Sequence, residues 1–322
     1  MEDILVSINC ITYNHGKYIR QALESFLMQK TNFKYEILVH DDASKDETSE
    51  ILKEYKEKYP DIVKVILQEE NQMSKGINNV NYTFNHCRSQ GKYIAICEGD
   101  DFWTDENKLQ KQVDYMEKNP ECGLCFHTTD VFRNEKKVGE IKPYNENCIA
   151  PSEDIILGGG SFIGTNSIMY RKQVLDDAPD FYVNAIVSDY PLQMITSTKQ
   201  YAYYINESMS VYRRGVKGSW TTTMKFSTDS EEKQIKHLEG TIKLLDKFNS
   251  FTNYKYSDAV RSRIKKCEFD ILRLEGNLKA LKSEEYISLY RKTSTVSKIR
   301  VYMKLYTPNL YNGILNVIRK CV

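Results

Sequence analysis

The feature that most constrains the fold of this sequence is the alternation of strand and helix patterns over its first 130 residues. Short runs rich in β-branched and aromatic residues occur at residues 4–8, 35–39, 63–67 and 93–97. Between these runs, apolar residues recur at the spacing of an amphipathic helix, as in residues 19–27. Repeated β-α-β units joined by short loops predict an α/β fold, with a mostly parallel central sheet flanked by helices.

Polar residues follow three of the predicted strands at their carboxyl ends, and ligands of open α/β sheets bind at that edge. We therefore expect these three groups of polar residues to converge on one crevice. Five neighbouring carboxylates are costly unless a cation neutralises them. Oxygen ligands without clustered His or Cys favour Mg²⁺ or Mn²⁺, whose shell a nucleotide diphosphate could complete. The residues are Thr12, Tyr13 and Asn14, then Asp41 and Asp42, then Glu98, Asp100 and Asp101.

Composition excludes several classes of protein. With 41% hydrophobic residues, 15 Gly and 7 Pro among 322 residues, the chain is not collagen-like, of low complexity or wholly disordered. No apolar run approaches the ~20 residues of a membrane-spanning helix. The start at Met1 lacks the basic and apolar segments of a signal peptide, so we expect a cytoplasmic protein. The eight cysteines are expected to be reduced, buried thiols. Cys122 and Cys125 lie three apart on a predicted strand and should face opposite ways.

Charge divides the chain into two regions. The net charge is about −8 over residues 1–230 and about +9 over residues 231–322, and seven basic residues but no acidic one follow Glu285. Apolar residues at helical spacing predict a basic helical C-terminal region at 226–322. It could dock peripherally on the anionic inner face of a membrane, or it could be an ordinary helical appendage or a dimer contact. Nucleic acid is not an expected partner, because no recognised binding motif is present.

Three motifs make the sequence resemble the family-2 glycosyltransferases, which have the Rossmann-like GT-A fold. They are Ile11-Thr-Tyr-Asn14, Val39-His-Asp-Asp-Ala-Ser-Lys-Asp46 and Glu98-Gly-Asp-Asp-Phe-Trp103. The resemblance extends to about residue 220. It implies a catalytic domain at 1–225, in which 1–130 bind the nucleotide sugar and 131–225 bind the acceptor.

The same resemblance implies an inverting, metal-dependent glycosyltransferase of the hexosyltransferase type. Its donor would be a nucleotide-diphosphate sugar, expected to be a UDP-sugar, and its cofactor Mn²⁺ or Mg²⁺. Its acceptor would be a hydroxyl of a glycan or of a lipid-linked glycan, in cell-surface polysaccharide synthesis.

The resemblance also implies roles for residues that bind the donor. In the first loop, Tyr13 would lie against the base, with Thr12 and Asn14 beside it, and Asp42 would hydrogen-bond the base edge. In the acidic motif, Glu98 would reach a ribose hydroxyl, Asp100 the ribose or the metal, and Asp101 the metal. Glu98 stands where the family commonly has Asp, which makes its role the least defined. Arg213 and Arg214 could neutralise the diphosphate charge, or they could belong to a solvated basic turn.

Asp189 matches the position of the family's catalytic base, although Ser188 replaces the first acid of the usual pair. An Asp at this position could instead cap a helix, and Asp46 could likewise cap the helix that follows it. Trp103 could wall the sugar pocket or pack beneath the loop. Residues 158–160 and 162–167 form a Gly-rich stretch that we expect to be flexible, and its glycines could form a loop over the donor or a plain turn.

Two other functions are compatible with this pattern. The chain could be a catalytically silent module that binds a sugar nucleotide or glycan within an assembly complex, although its intact carboxylate set argues against that. It could also be a sugar nucleotidyltransferase, but the Gly-rich, basic N-terminal loop expected there is missing. Release of nucleoside diphosphate or of pyrophosphate would separate the two enzymes.

Overall fold

The computed structural model describes residues 3–185 and 187–320. They form two compact units, of which the first ends at Arg214 and the second begins at Gly215. The domain boundary predicted at residue 225 therefore falls inside the second unit. No described helix is long and apolar enough to cross a membrane.

The first unit is built on one mixed sheet. Its order is β3-β2-β1-β4-β9-β6-β10-β5, with β7 added to β6 and β8 to β10. Among the described residues the strands are Ile4–Thr12 (β1), Lys34–Asp41 (β2), Val63–Leu67 (β3), Tyr93–Ile96 (β4), Phe102–Trp103 (β5), Cys122–Arg133 (β6), Lys136–Ile141 (β7), Cys148–Ala150 (β8), Met169–Arg171 (β9) and Tyr201–Arg213 (β10).

The first four strands in chain order pair in parallel, as predicted. Strand β9 lies antiparallel between β4 and β6. Strands β5, β7 and β8 also pair antiparallel with their neighbours, so the sheet is mixed. The register places Thr12 of β1 beside Asp41 of β2, so the polar residues that follow the two strands are neighbours. The expected convergence of the strand ends is present.

Six helices are described in the first unit and seven in the second. Those of the first unit are Gly16–Leu27 (α1), Thr48–Lys58 (α2), Lys108–Lys118 (α3), Ser152–Gly158 (α4), Asp180–Val183 (α5) and Asp189–Lys199 (α6). Those of the second unit are Trp220–Phe226 (α7), Ser230–Phe251 (α8), Ser257–Glu275 (α9), Leu278–Leu281 (α10), Ile287–Lys292 (α11), Thr295–Tyr306 (α12) and Pro308–Lys320 (α13). The second unit is thus helical, as predicted.

The helix expected around residues 77–87 is replaced by a π turn, Asn81–Asn85, and a 3₁₀ turn, His86–Arg88. This segment is rich in Asn, a weak helix former. Three of its Asn side chains also donate to backbone carbonyls outside the segment: Asn78 to Asn184, Asn79 to Tyr182 and Asn85 to Cys10. These bonds compete with a regular helix.

Two apolar clusters cover the two faces of the sheet. One packs α1, α2 and α3 against β1 and its neighbours, and the other packs α4 and α6 against β4 and β6. The sheet is therefore enclosed between helices, which leaves its strand ends as the place for polar chemistry. The described cysteines are free thiols, and most are buried as expected, but Cys87 is exposed and Cys148 is only half-buried. Cys321 lies outside the described residues.

Candidate active site

Three carboxylates meet in the turn that follows β4. One oxygen each of Glu98, Asp100 and Asp101 lies within 4.8 Å of the other two. Asp101 is 1% exposed, and Asp100 is also buried. Gly99 lets the turn press against the end of β1, because a Cβ at this position would lie 2.6 Å from Oγ1 of Thr12. The turn is therefore packed in place and does not project freely into solvent.

Burial makes this cluster electrostatically unfavourable by itself. Burial, together with the charges of Asp100 and Asp189, raises the pKa of Glu98 to about 8. Burial and the charges of Asp100 and Glu98 raise the pKa of Asp101 well above its usual range, against the stabilising N–H and charge of Arg213. A cation between the carboxylates would remove this repulsion. An all-oxygen donor set of this kind suits Mg²⁺ or Mn²⁺, so Asp100 and Asp101 fit the predicted metal.

Protein donors fix the orientation of Asp101. The side-chain amide of Asn166 donates to its Oδ2 at 3.0 Å, and the backbone N–H of Arg213 donates to its Oδ1 at 2.8 Å. The Arg213 guanidinium donates to the backbone oxygen of Asp100 at 2.8 Å and lies 4.5 Å from the ring centroid of Phe102. Arg213 is buried, whereas Arg214 is exposed. A contact of either with diphosphate stays a prediction, and the bonds of Arg213 favour a role in holding the turn.

Side chains that the sequence singled out connect the loop after β1 with the loop after β2. Asn14 has a positive φ of 56°; its N–H donates to Oγ of Ser44 at 2.8 Å, and its Oδ1 accepts from the N–H of Lys45 at 2.7 Å. Asp46 accepts hydrogen bonds from the N–H of Gly16 and of Thr48, the first residues of α1 and α2. The capping interpretation of Asp46 is thus the one the geometry favours.

The two residues predicted to contact the base lie in these loops. Tyr13 is 42% exposed, so its ring is open to a stacking partner. Asp42 is buried, and its two oxygens accept from the backbone N–H of Gln72 at 2.7 Å and of Met73 at 3.3 Å. Each carboxylate oxygen can accept a second bond, so Asp42 keeps capacity for a ligand.

Asp189 is the first residue of α6, and its Oδ1 accepts the N–H of Tyr190 at 2.7 Å. Its oxygens lie 3.7 and 3.8 Å from the point where a Cβ on Gly160 would sit, so the Gly-rich loop passes close to this carboxylate. Burial raises the pKa of Asp189. Its charge also raises the pKa of Glu98, which places it in the electrostatic neighbourhood of the acidic turn.

Two residues near the acids were not singled out by sequence. Asn166 lies in the Gly-rich stretch for which the sequence predicts flexibility, yet its side chain is buried. His15 follows the first motif directly, with its Nε2 3.8 Å from Oδ2 of Asp100. Trp103 is buried, and its indole N–H donates to the backbone oxygen of Asn166 at 2.9 Å. This contact favours packing under the loop for Trp103.

The arrangement agrees with a family comparison. The model of glycosyl transferase family 2 matches residues 7–178 of this chain. The chain belongs to glycosyltransferase family 2. The family predicted from the three motifs is therefore confirmed.

Relatives of this glycosyltransferase have known sequences, and some are named for their reactions. It is 38% identical over 217 residues to an uncharacterized protein of Mycobacterium tuberculosis, a match that spans 67% of this chain and 60% of that relative. It is 30% identical over 140 residues to the Escherichia coli UDP-Glc:alpha-D-GlcNAc-diphosphoundecaprenol beta-1,3-glucosyltransferase WfgD, a match that spans 44% of this chain and 51% of WfgD. The matched region thus spans less than two thirds of the length of each of these two relatives.

A solved structure with the same fold is that of the mannosyltransferase PcManGT from Pyrobaculum calidifontis, in complex with GDP-Man and Mn²⁺. The likeness has a TM-score of 0.55 and 14% identity, and it covers 99% of this chain and 87% of PcManGT. At this identity the likeness shows the fold. The mixed sheet flanked by helices is thus of the GT-A type, which confirms the predicted fold class.

Proposed function

We propose that this glycosyltransferase moves a sugar from a UDP-sugar to a hydroxyl of a glycan or lipid-linked acceptor, with inversion, in cell-surface polysaccharide synthesis. The observation that carries the proposal is a cluster of three carboxylates, the half-buried Glu98 and the buried Asp100 and Asp101, which follows β4 at the carboxyl edge of the sheet and lies in the electrostatic neighbourhood of Asp189. The name of one relative supports a UDP-sugar donor, since WfgD uses UDP-Glc, and the structural neighbour PcManGT supports a nucleotide sugar held with a metal, since it binds GDP-Man with Mn²⁺.

In the proposed complex the donor lies along the strand ends of residues 1–130. The exposed ring of Tyr13 stacks on the base, and the free lone pairs of Asp42 accept from the base edge. Thr12 and Asn14 line the same loop, and Glu98 reaches the ribose. Asp100 and Asp101 hold Mn²⁺ or Mg²⁺, which when bound offsets the negative charge of the diphosphate.

Residues 131–225 contribute the acceptor side, where Asp189 is the general base. As the acceptor oxygen attacks the anomeric carbon, Asp189 takes its proton, and the bond from that carbon to the diphosphate oxygen breaks. The nucleoside diphosphate leaves with the electron pair. The raised pKa of Asp189 makes its ionised form a stronger base than an exposed Asp. We place this reaction in the cytoplasm.

The proposal is tested with the full chain and a panel of nucleotide sugars. We expect a UDP-sugar to raise Tm in the presence of Mn²⁺, and we expect EDTA or Asp101→Asn to remove most of that shift. With acceptor present, nucleoside diphosphate should be released. Equal donor binding with and without metal, in both the native chain and Asp101→Asn, would contradict the metal role. Donor binding without product would indicate the silent module, and pyrophosphate release would indicate a nucleotidyltransferase.

A further inference from the structure

Exposed apolar side chains are concentrated at the end of the second unit. Among the described residues, 18 large hydrophobic side chains are exposed, and eight of them lie in α12 and α13. A concentration of this kind marks an interaction surface, because single exposed apolar residues are normally scattered. The eight are Val296, Ile299, Tyr302, Leu305, Tyr306, Leu310, Ile314 and Val317.

The spacing aligns these residues along the helices. In α13, Leu310, Ile314 and Val317 follow the i, i+4, i+7 pattern of a single face and are 58%, 43% and 63% exposed. In α12, Ile299 is one of the exposed residues, while Val301 is buried in the apolar core of the second unit. Both helices therefore expose apolar side chains to solvent. We name the eight residues the apolar stripe of α12 and α13.

Charge identifies the kind of partner. Residues 286–322 contain seven basic residues and no acidic one, and Arg291, Lys292 and Arg300 are exposed. Glu231 of α8 pairs with Lys304 at 2.6 Å, so this one basic side chain is neutralised within the second unit. A second copy of the chain in a two-fold dimer would bring the segment 286–322 against itself, with the exposed basic residues facing basic residues. An anionic surface with an apolar interior would pair with the basic residues and would also remove the exposed apolar side chains from water. Tyrosines such as Tyr302 and Tyr306 also suit the boundary between water and lipid.

We propose that the apolar stripe of α12 and α13 docks on the surface of an anionic lipid bilayer. The aliphatic side chains enter the boundary between headgroups and acyl chains, and the Lys and Arg residues attract anionic headgroups. This proposal goes beyond the transferase reaction, because it rests on the second unit alone. It makes the chain a peripheral protein that needs no membrane-spanning helix.

The test is co-sedimentation of the full chain with vesicles. We expect binding to an equal mixture of phosphatidylcholine and phosphatidylglycerol, weaker binding at higher salt, and little binding to phosphatidylcholine alone. The double variant Leu310→Asp/Ile314→Asp should lower the vesicle partition coefficient at least about 10-fold, because two aliphatic groups no longer enter the apolar layer. The matched control is Val138→Asp/Ile149→Asp, which changes two residues of the first unit that are 55% and 57% exposed. The control should bind like the native chain.

Circular dichroism and thermal unfolding establish that both variants remain folded. Donor binding measured by Tm shift is expected to be the same in both, so a failure of docking is distinguishable from a failure of the proposed reaction. Absence of native-chain binding to both kinds of vesicle would overturn the proposal. So would equal binding by the two double variants. Sedimentation velocity adds one further outcome: a dimer that only Leu310→Asp/Ile314→Asp breaks, without vesicle binding, would assign the stripe to a second copy.

Discussion

The side-chain amide of Asn166 donates a hydrogen bond of 3.0 Å to Oδ2 of Asp101, and both side chains are buried. The same amide donates to the backbone oxygen of Val211 at 2.9 Å, while Oδ1 of Asn166 accepts from Thr129 at 3.1 Å and from Ser210 at 2.9 Å. The orientation of the amide is thereby fixed. A neutral donor holds Asp101 in place without cancelling the negative charge that a cation requires.

We therefore predict that Asn166→Ala weakens Mn²⁺ binding to the donor-free protein about 10-fold. Loss of a buried hydrogen bond to a charged group costs about 1.5–3 kcal/mol, and the remaining carboxylate is less well oriented. Isothermal titration with Mn²⁺ measures the change. The matched control is Asn85→Ala, which removes another buried Asn that donates to a backbone oxygen, that of Cys10. The control should lose stability but keep its Mn²⁺ affinity; equal affinities in the native chain and both variants would refute the role of Asn166.

Gly99 offers a steric test of the same turn. A Cβ there would lie 2.6 Å from Oγ1 of Thr12 and 2.8 Å from its Cβ, so Gly99→Ala must displace the acidic turn or β1. We expect a loss of about 1–3 kcal/mol in the free energy of unfolding, together with weaker Mn²⁺ binding. Gly139→Ala is the control, because no atom lies within 4 Å of its added Cβ. Urea unfolding measures the free energy of unfolding of both variants. If Gly99→Ala is as stable as the native chain, the turn is loosely packed.

Local sequence patterns predicted the strands and helices that depend on the spacing of nearby apolar residues. The third strand, predicted at 63–67, is observed as Val63–Leu67. The acids that converge at the strand ends were predictable because parallel strands share a carboxyl edge. The spacing of apolar side chains, and the parallel direction of strands in β-α-β units, can be inferred from a single sequence.

Contacts between distant segments could not be predicted in this way. Asn166 reaches Asp101 because β9 inserts antiparallel between β4 and β6, and no local pattern specifies strand order. The Gly-rich segment before it therefore suggested flexibility, although Asn166 is buried. The same limit applies to Arg213, whose basic character suggested a phosphate contact while its contacts lie within the fold.

Arg213 and Arg214 form a matched pair for separating these roles. Arg213 is buried and donates to the backbone oxygen of Asp100, whereas Arg214 is exposed. We predict that Arg213→Lys lowers both stability, by about 1–3 kcal/mol, and metal-dependent donor affinity, because Lys cannot reproduce the guanidinium's several donors and ring contact. Arg214→Lys should be within about 0.5 kcal/mol of the native chain. Unfolding curves and donor titrations measure both effects. If Arg213→Lys lowers donor affinity with no loss of stability, direct diphosphate contact becomes the better explanation.

His86 makes the stability of the first unit depend on pH. Burial, reinforced by Lys172 and opposed by Asp176, lowers the pKa of His86 to about 4, and its Nδ1 lies 2.9 Å from the hydroxyl of Tyr170. The unfolded chain, with the ordinary His pKa of about 6.5, binds this proton first as the pH falls, so acid favours unfolding. This contribution is present above pH ~6.5 and is lost progressively as the pH falls towards 4.

We expect the native chain to lose roughly 2 kcal/mol more stability than His86→Gln between pH 7 and pH 5, because Gln does not titrate. Urea unfolding at the two pH values gives the difference between the proteins, which removes the contributions of the other histidines. An identical pH dependence in both would mean that the His86 pKa is not lowered in the folded state.

Asp189→Asn tests the proposed base directly. Asn keeps the Oδ1 that accepts the N–H of Tyr190, so α6 should begin as before, but Asn cannot take a proton from the acceptor hydroxyl. We predict donor affinity close to that of the native chain and a turnover lowered by roughly 10²–10⁴. Nucleoside diphosphate release and donor titration measure the two quantities. Asp180→Asn is the control, an exposed Asp in the first turn of α5, and it should leave both unchanged. Native turnover in Asp189→Asn would transfer the role of base to another group.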